Sequence, residues 1–210
     1  FHAVWGGEAG EAVFADFSAA LQKAQAEGRI LTASLFRYEN HLFFYAEGLN
    51  RPFTPQGLCP ALDAALLPWP PALGEAAPRP WAAMQPYFYH DVPTTAADWQ
   101  QRRRGRIALL PPDSWCSYME HHLRIVTEGL VEGDRWHLIC VQEGVLFSYL
   151  EEPRTNVNIK HQPGAHSPEL DAWIAADPES HFARFTPEQK AHPDSSHNFV
   201  FLPRIAGTED

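Results

Sequence analysis

No stretch of this sequence is apolar for long enough to suggest a membrane-spanning helix. Prolines break the best candidate, around Leu66 to Leu73, far short of the roughly 18 residues such a helix needs. Basic residues are also scarce, with 16 Lys and Arg against 26 Asp and Glu and a formal charge of −10. Nucleic acids and anionic membranes bind through basic footprints, so this balance argues against both as partners. Cysteine is sparse: Cys59, Cys116 and Cys140 form neither a CxxC pair nor an even disulfide framework, which fits a reducing compartment. Gly-rich phosphate loops, GxSxG elbows and HxH or HExxH pairs are missing despite 11 histidines. Nucleotide handling, serine-hydrolase chemistry and a metal centre therefore lack sequence support, and no metal or cofactor is expected. The first residues, Phe1 to Trp5, read as a strand rather than a basic, then apolar export signal, so a cytoplasmic location is expected.

What the chain does have is ample core material, 45% hydrophobic and 12% aromatic residues over 210 positions. It also repeats itself. Ser34 to Glu47 aligns without a gap on Leu138 to Glu151, an offset of 104 that superimposes Glu39 on Glu143, Leu42 on Leu146, Phe43 on Phe147, Tyr45 on Tyr149 and Glu47 on Glu151. Both segments read as β-hairpins, with turns at Glu39-Asn40-His41 and Gln142-Glu143-Gly144.

The flanks agree. Apolar residues at helical spacing run through Glu11 to Glu27 (Val13, Phe14, Phe17, Leu21, Ala24), and Gly28 is a natural stop. The same spacing recurs from Ser114 to Leu130 in Trp115, Tyr118, His122, Ile125 and Val126, with Asp113 or Ser114 placed to cap the helix. A short strand precedes each helix, Phe1 to Trp5 and Arg106 to Leu110. After each hairpin come helical patches, near Leu58 to Leu67 and Pro168 to Ala176, and then an aromatic strand, Tyr87 to His90 and Phe199 to Leu202. Strand, helix, hairpin, helix, strand is the βαββαβ order of a ferredoxin-like unit. The predicted fold is α+β: two tandem ferredoxin-like units forming an intrachain pseudo-dimeric α+β barrel. The predicted divisions are 1–91 for the first repeat, 92–105 for a connector and 106–204 for the second repeat. In the connector, Arg102-Arg103-Arg104 is expected to be solvated, with a phosphate-binding arm as the alternative.

On the second helix Tyr118 and His122 stand four residues apart, hence on one face, among apolar neighbours. Such a pair is either a hydrogen-bonded part of the core or an acid–base pair facing a cavity. The second half resembles the L-rhamnose mutarotase family, small dimeric α+β barrel enzymes that interconvert sugar anomers. The resemblance is carried by Pro112-Asp113 after the first strand, Tyr118 and His122, Leu146-Phe147-Ser148-Tyr149-Leu150-Glu151, and Phe199-Val200-Phe201-Leu202-Pro203. It covers half of the chain directly and the other half through the repeat. It implies a cofactor-free isomerase acting on a monosaccharide, with His122 and Tyr118 catalytic. Trp173, alternatively a core residue, and His181 are the nearest counterparts of the family's sugar-shaping aromatics.

Further residues are candidates on position alone. Arg154 and Asn156, with Asn158, Lys160 and His161, follow the second hairpin and could bind substrate hydroxyls or a carboxylate; a polar surface loop is the alternative. His121 lies about 100° around the helix from His122 and is expected to be exposed. His41 and His90 fall at strand ends. After His122 this chain continues Leu123-Arg124-Ile125 where the family has Asn, which keeps two other readings open. One is a different protein on the same scaffold, a cofactor-free monooxygenase or haem-handling protein; the other is a non-catalytic ligand-binding module. An internal pseudo-dimer favours a monomer or at most a weak homodimer.

Overall fold

In the computed structural model of the chain, which describes residues 1–7, 10–71, 74–90, 102–132, 136–152, 158–159, 167–190 and 192–208, the first apolar stripe becomes one side of a helix. That helix, α1 (Ala12–Ala26), follows strand β1 (His2–Trp5) and buries Val13, Phe14, Phe17, Leu21 and Ala24. It ends as the sequence predicts. Gly28, at φ 68°, donates to Gln25, and Arg29 donates to Ala24, so a left-handed glycine satisfies the last carbonyls. Strands β2 (Ile30–Tyr38) and β3 (His41–Gly48) then form a hairpin, followed by the short helix α2 (Pro60–Ala64) and the two-residue strand β4 (Leu66–Leu67). The helical patch expected to reach Leu67 therefore stops early, and its end pairs with β1 as a strand.

The second half repeats this layout. After β5 (Gln85–His90) come β6 (Arg103–Leu109), α3 (Pro112–Thr127), β7 (Val131–Glu132), β8 (His137–Gln142), β9 (Val145–Glu151) and β10 (Asn158–Ile159). Helix α4 (Pro168–Ala175), a 3-10 turn at Pro178–His181, β11 (Val200–Leu202) and β12 (Arg204–Gly207) complete the described elements. Helix α3 ends on Gly129 at φ 70° in the manner of α1, with Gly129 donating to Val126 and Leu130 to Ile125. Its start differs from expectation. Pro111 is the cap and makes no side-chain hydrogen bond, while Asp113 lies inside the first turn, where a carboxylate favours the helix dipole.

The fold is mixed α+β, with two antiparallel five-stranded sheets and four α-helices among the described residues. One sheet runs β12-β2-β3-β1-β4 and the other β5-β8-β9-β6-β11, so the repeated strands occupy matching places. The hairpins match residue for residue. Tyr38 faces His41 and Gln142 faces Val145, each across a two-residue turn rather than the three residues predicted. Glu143 and Gly144 both have positive φ, 48° and 77°, the twist a tight antiparallel hairpin needs. Tyr149 donates to Glu151 at 2.7 Å, and Tyr45 donates to Glu47 at the equivalent place.

The fifth strands correct the predicted divisions. The aromatic strand Tyr87 to His90 does not close the first half; as β5 it pairs with β8. Conversely, β12 at the end of the chain pairs with β2. The two compact units are therefore 1–84 with 202–210, and 85–201, because ladder hydrogen bonds rather than chain order group the strands. The Arg-rich connector is corrected too. Arg103 and Arg104 begin β6 and are each only 6% exposed, with Arg104 held by Glu152 at 3.1 Å, by Asp194, and over the ring of Phe201 at 4.5 Å. Positions 92–101 lie outside the described residues.

In the first unit, α1 and α2 cover one sheet face, with Ala3, Leu35, Leu42 and Phe44 beneath them. In the second, α3 and α4 cover Ala108, Leu110, Ile139, Val141 and Leu146. Burying one such large apolar side chain contributes about 1.5–3 kcal/mol, so packing rather than helix propensity holds these short elements.

The second hairpin is tight enough to test. A Cβ on Gly144 would lie 2.6 Å from the Leu110 carbonyl oxygen, whereas one on Gly129 meets nothing within 4 Å. Both glycines have left-handed backbone, which alone costs another residue about 1–2 kcal/mol. Gly144→Ala is expected to destabilise clearly more than Gly129→Ala in urea denaturation. Equal losses would show that β9 does not approach Leu110 this closely.

Candidate functional site

Helix α3 supplies the centre of the site. Its buried residues, Tyr118, His122 and Ile125, follow the helical spacing and face the sheet. The Tyr118 and His122 rings lie 5.6 Å apart, centre to centre. Helix α4 is anchored by Ser167, whose hydroxyl accepts from the Leu170 amide at 3.2 Å. That anchor turns Leu170 and Trp173 inward, and the Trp173 ring stands 5.6 Å from both Tyr118 and His122. The tryptophan expected near the sugar site is therefore beside the pair.

A third wall was not foreseen. Strand β5 pairs Pro86 with Cys140 and Phe88 with Ile139, leaving Tyr87 as the extra residue of a β-bulge. Pro86 has no N–H for a regular ladder, which suits an interruption there, and a bulge re-aims the side chain it carries. Tyr87 meets His122 edge-on at 5.0 Å, and Phe88 approaches at 6.4 Å. Four aromatic rings thus surround one imidazole.

Between these helices and the sheet lies a cavity of about 300 Å³, lined by Arg106, Tyr118, His122, Ser148, Trp173 and Glu179 among others. Arg106 and Ser148 face each other across the β6–β9 ladder. The Arg106 guanidinium lies 4.5 Å over the Phe199 ring. A larger and more open cleft, about 610 Å³, borders the last turn of α1 in the other unit. It is lined by Lys23, Arg29 and Arg51 with Glu27, which approaches Lys23 at 3.9 Å and Arg29 at 3.7 Å, and its lining includes no imidazole or phenol. The smaller cavity is the one that gathers groups able to exchange protons.

His122 is only 6% exposed, and its Nδ1 has no hydrogen-bond partner. Burial pulls its pKa down to about 4, so the ring is neutral at pH 7. Burial pushes the Tyr118 phenol up to about 12, with the Glu179 carboxylate adding to the rise while Tyr87 and the Arg106 guanidinium oppose it. Tyr87 is likewise raised, first by burial and then by Tyr118. Its hydroxyl lacks a hydrogen bond of good geometry, so the two phenols are neighbours rather than a bonded pair. At neutral pH the cavity therefore presents a neutral base, protonated phenols and a guanidinium.

The remaining candidates divide. His181 does not line the cavity: Ser117 occupies its Nε2 at 3.1 Å and the Asp177 carbonyl its Nδ1 at 3.3 Å, so it holds the 3-10 turn against α3. Arg154 and Asn156 fall outside the described residues, as do Lys160, His161 and the side chains of His90 and Asn158. His121 is half-buried rather than exposed. His41 is hydrogen-bonded to His2 at 2.8 Å in the first unit. Arg106, Tyr87, Ser148 and Glu179 were missed. A charged residue on the apolar-facing side of a strand, as at Arg106, was a readable signal; the bulge at Tyr87 was not.

Among the described residues no cluster of three or more His, Cys, Asp or Glu could hold a metal ion, and no helix is long and apolar enough to cross a membrane.

The buried imidazole has a measurable consequence. Its pKa is lower in the fold than the 6.5 of an unperturbed ring, so protons favour the unfolded chain. The stability it contributes is complete above about pH 6.5 and is lost as pH falls toward 4, by up to about 3 kcal/mol. His122→Phe fills similar space without titrating. It is expected to flatten the fall of Tm between pH 6.5 and 4, and an unchanged slope would mean that the ring reaches water.

Comparison of the chain with protein-family models, with curated proteins and with solved structures finds no match in any of the three.

Proposed function

We propose that this chain is a cofactor-independent sugar isomerase, a mutarotase-like protein that interconverts the anomers of a monosaccharide in the cavity of its second unit. One observation carries the reading: a buried imidazole with an unpartnered nitrogen lines a cavity of about 300 Å³ beside a protonated phenol and an indole. Core histidines normally have their nitrogens satisfied, and a ligand hydroxyl is a fitting partner for this one. The volume lies at the small end of ligand pockets, suited to a single sugar ring.

The reading includes the scaffold. We take each unit as ferredoxin-like, with the fourth, first, third and second strands side by side, and the tandem pair as an intrachain α+β barrel. The repeat, the matching strand orders and the Pro112-Asp113, Tyr118, His122 motif support it.

Mutarotation transfers two protons and breaks one bond. The neutral His122 ring takes the proton of the anomeric hydroxyl as the C1 to ring-oxygen bond breaks and the C1 carbonyl forms. Tyr118 donates its proton to the departing ring oxygen. The Arg106 guanidinium lowers the cost of the resulting phenolate, the direction in which it already shifts Tyr118. Rotation of the carbonyl and the reverse transfers close the other anomer and restore both side chains. Trp173 offers its face to the apolar side of the ring.

Exchange between α and β anomers of rhamnose, fucose, galactose, glucose and galacturonate, followed by saturation-transfer NMR, is expected to accelerate for at least one sugar. Loss of either proton-transfer group, as His122→Ala or Tyr118→Phe, should slow that sugar by about 10²-fold or more. The acid limb of kcat/KM should fall near pH 4, where His122 gains its proton, rather than near 6.5. No acceleration for any of these sugars removes the proposal.

A further inference from the structure

The larger cleft, in the first unit, takes no part in the proton chemistry proposed for the second. Counting back from the capping glycines Gly28 and Gly129, Phe17 and Leu21 of α1 stand where α3 has Tyr118 and His122. Both are buried in the core, so the acid–base pair has no counterpart at that place. The cleft, about 610 Å³, opens instead between the last turn of α1 and the segment from Arg51 to Leu58. Three cations line it from three places in the chain: Lys23 on α1, Arg29 just before β2 and Arg51 after β3. Its lining includes one carboxylate, Glu27.

That carboxylate holds its cations loosely. Glu27 lies 3.9 Å from Lys23 and 3.7 Å from Arg29, too far for a hydrogen bond to either, and all three side chains are well exposed. Exposed pairs of this kind contribute about 0–1 kcal/mol each, so a ligand can displace them. Arg51 makes no hydrogen bond or ion pair among the described residues. Asp63, which meets the cleft lining at Gly57, is occupied by the Gly57 amide at 2.6 Å and the Trp81 indole at 2.8 Å. The backbone fixes where the two arginines start. The Arg29 carbonyl accepts from the Leu49 amide at 3.0 Å, and Asn50 turns the chain with left-handed backbone at φ 64°. A Cβ on Gly48 would collide with the Arg51 carbonyl oxygen, so the turn carrying Arg51 folds back tightly on the end of β3. The Arg29 guanidinium lies 5.5 Å over the Phe53 ring, which packs on Phe44 of the core.

We propose that this cleft binds the phosphoryl group of a small ligand, a phosphate monoester or free phosphate, through Arg29, Arg51 and Lys23. A phosphoryl group carries about −1.5 to −2 charge at neutral pH and three strong acceptor oxygens. The lining residues offer an excess of two positive charges, in a chain whose net charge is −10. Such a chain repels anions at long range, so the cleft is a local reversal of sign rather than part of a general basic surface. Guanidinium forks match phosphate oxygens in pairs, and an ammonium adds a point charge. The Thr54 hydroxyl accepts from the Gln56 amide at 3.3 Å, which leaves its own proton for a ligand oxygen. These are side-chain donors, which is why no Gly-rich phosphate loop announces the site in the sequence. The volume exceeds that of one phosphate, and Ala20, Ala24 and Leu58 leave apolar surface for the body of an ester.

Isothermal titration calorimetry on the full chain with D-glucose 6-phosphate, D-glucose and inorganic phosphate tests this site apart from any catalysis. The phosphate ester is expected to bind, and more tightly than glucose. Arg51→Gln should weaken phosphate binding by about 10-fold or more, the loss of one charge-assisted hydrogen bond. Glu27→Gln, which removes the competing carboxylate, should strengthen it. Lys190→Gln takes the same charge from the second unit and should leave the affinity unchanged. Arg51 is exposed, so its replacement spares the core, and wild-type affinities decide the matter if a variant fails to fold. Tighter binding of the ester than of inorganic phosphate assigns the site to phosphate esters. Equal or tighter binding of inorganic phosphate assigns it to the free ion; either result supports the site. Absence of binding by both phosphates overturns it, as does glucose binding as tightly as its phosphate. Phosphate binding that survives Arg51→Gln, or that Lys190→Gln weakens as much, overturns it as well.

Discussion

The ladder between Gln85–His90 and His137–Gln142 is the interaction on which the candidate site depends. Without it the sheet of the second unit would end at β8, and no strand would carry Tyr87 and Phe88 to the edge of His122. The backbone hydrogen bonds fix the strand, while the bulge after Pro86 decides which way Tyr87 points. Desolvation of His122 follows from that enclosure, and its depressed pKa follows from desolvation rather than from any neighbouring charge.

Enclosure also explains the division of labour in the cavity. Low dielectric disfavours the charged form of every titrating group, so the imidazole is held neutral and the phenols protonated at the same pH. The guanidinium, with its far higher pKa, keeps its charge where the others lose theirs. An apolar pocket thereby sets a base, an acid and a cation side by side without a metal-like field to tune them. The cost is stability at low pH, where a buried ring must either accept a proton or unfold.

The periodic parts of this structure were legible in the residues. Val13, Phe14, Phe17, Leu21 and Ala24 predict α1 and its buried face; Tyr118, His122 and Ile125 do the same for α3. The offset of 104 predicts the matched hairpins, and the structure keeps them in register down to the turn and the Tyr–Glu hydrogen bond. Trp173 near the pair was foreseen as well. The errors concern partners rather than elements. Tyr87 to His90 was read as a strand and is one, yet it lies in the other unit. Arg103 and Arg104 were read as solvated because charge usually means water, yet both are buried, with Arg104 held by Glu152, Asp194 and the Phe201 ring. His181 was read as site-facing, but Ser117 and Asp177 use both of its nitrogens.

The sequence by itself determined much of the local geometry: where α1 stops, which residues share a helix face, and that one half echoes the other. Such features depend on spacing over a few residues and on glycines able to adopt left-handed backbone, so they are written along the chain. Only the tertiary structure decided which strand joins which sheet, and with it that Arg106, Tyr87 and Ser148 meet the Tyr118–His122 pair. Strand pairing is a contest among edges far apart in sequence with nearly equal hydrogen-bonding capacity, and side-chain packing across those edges settles it.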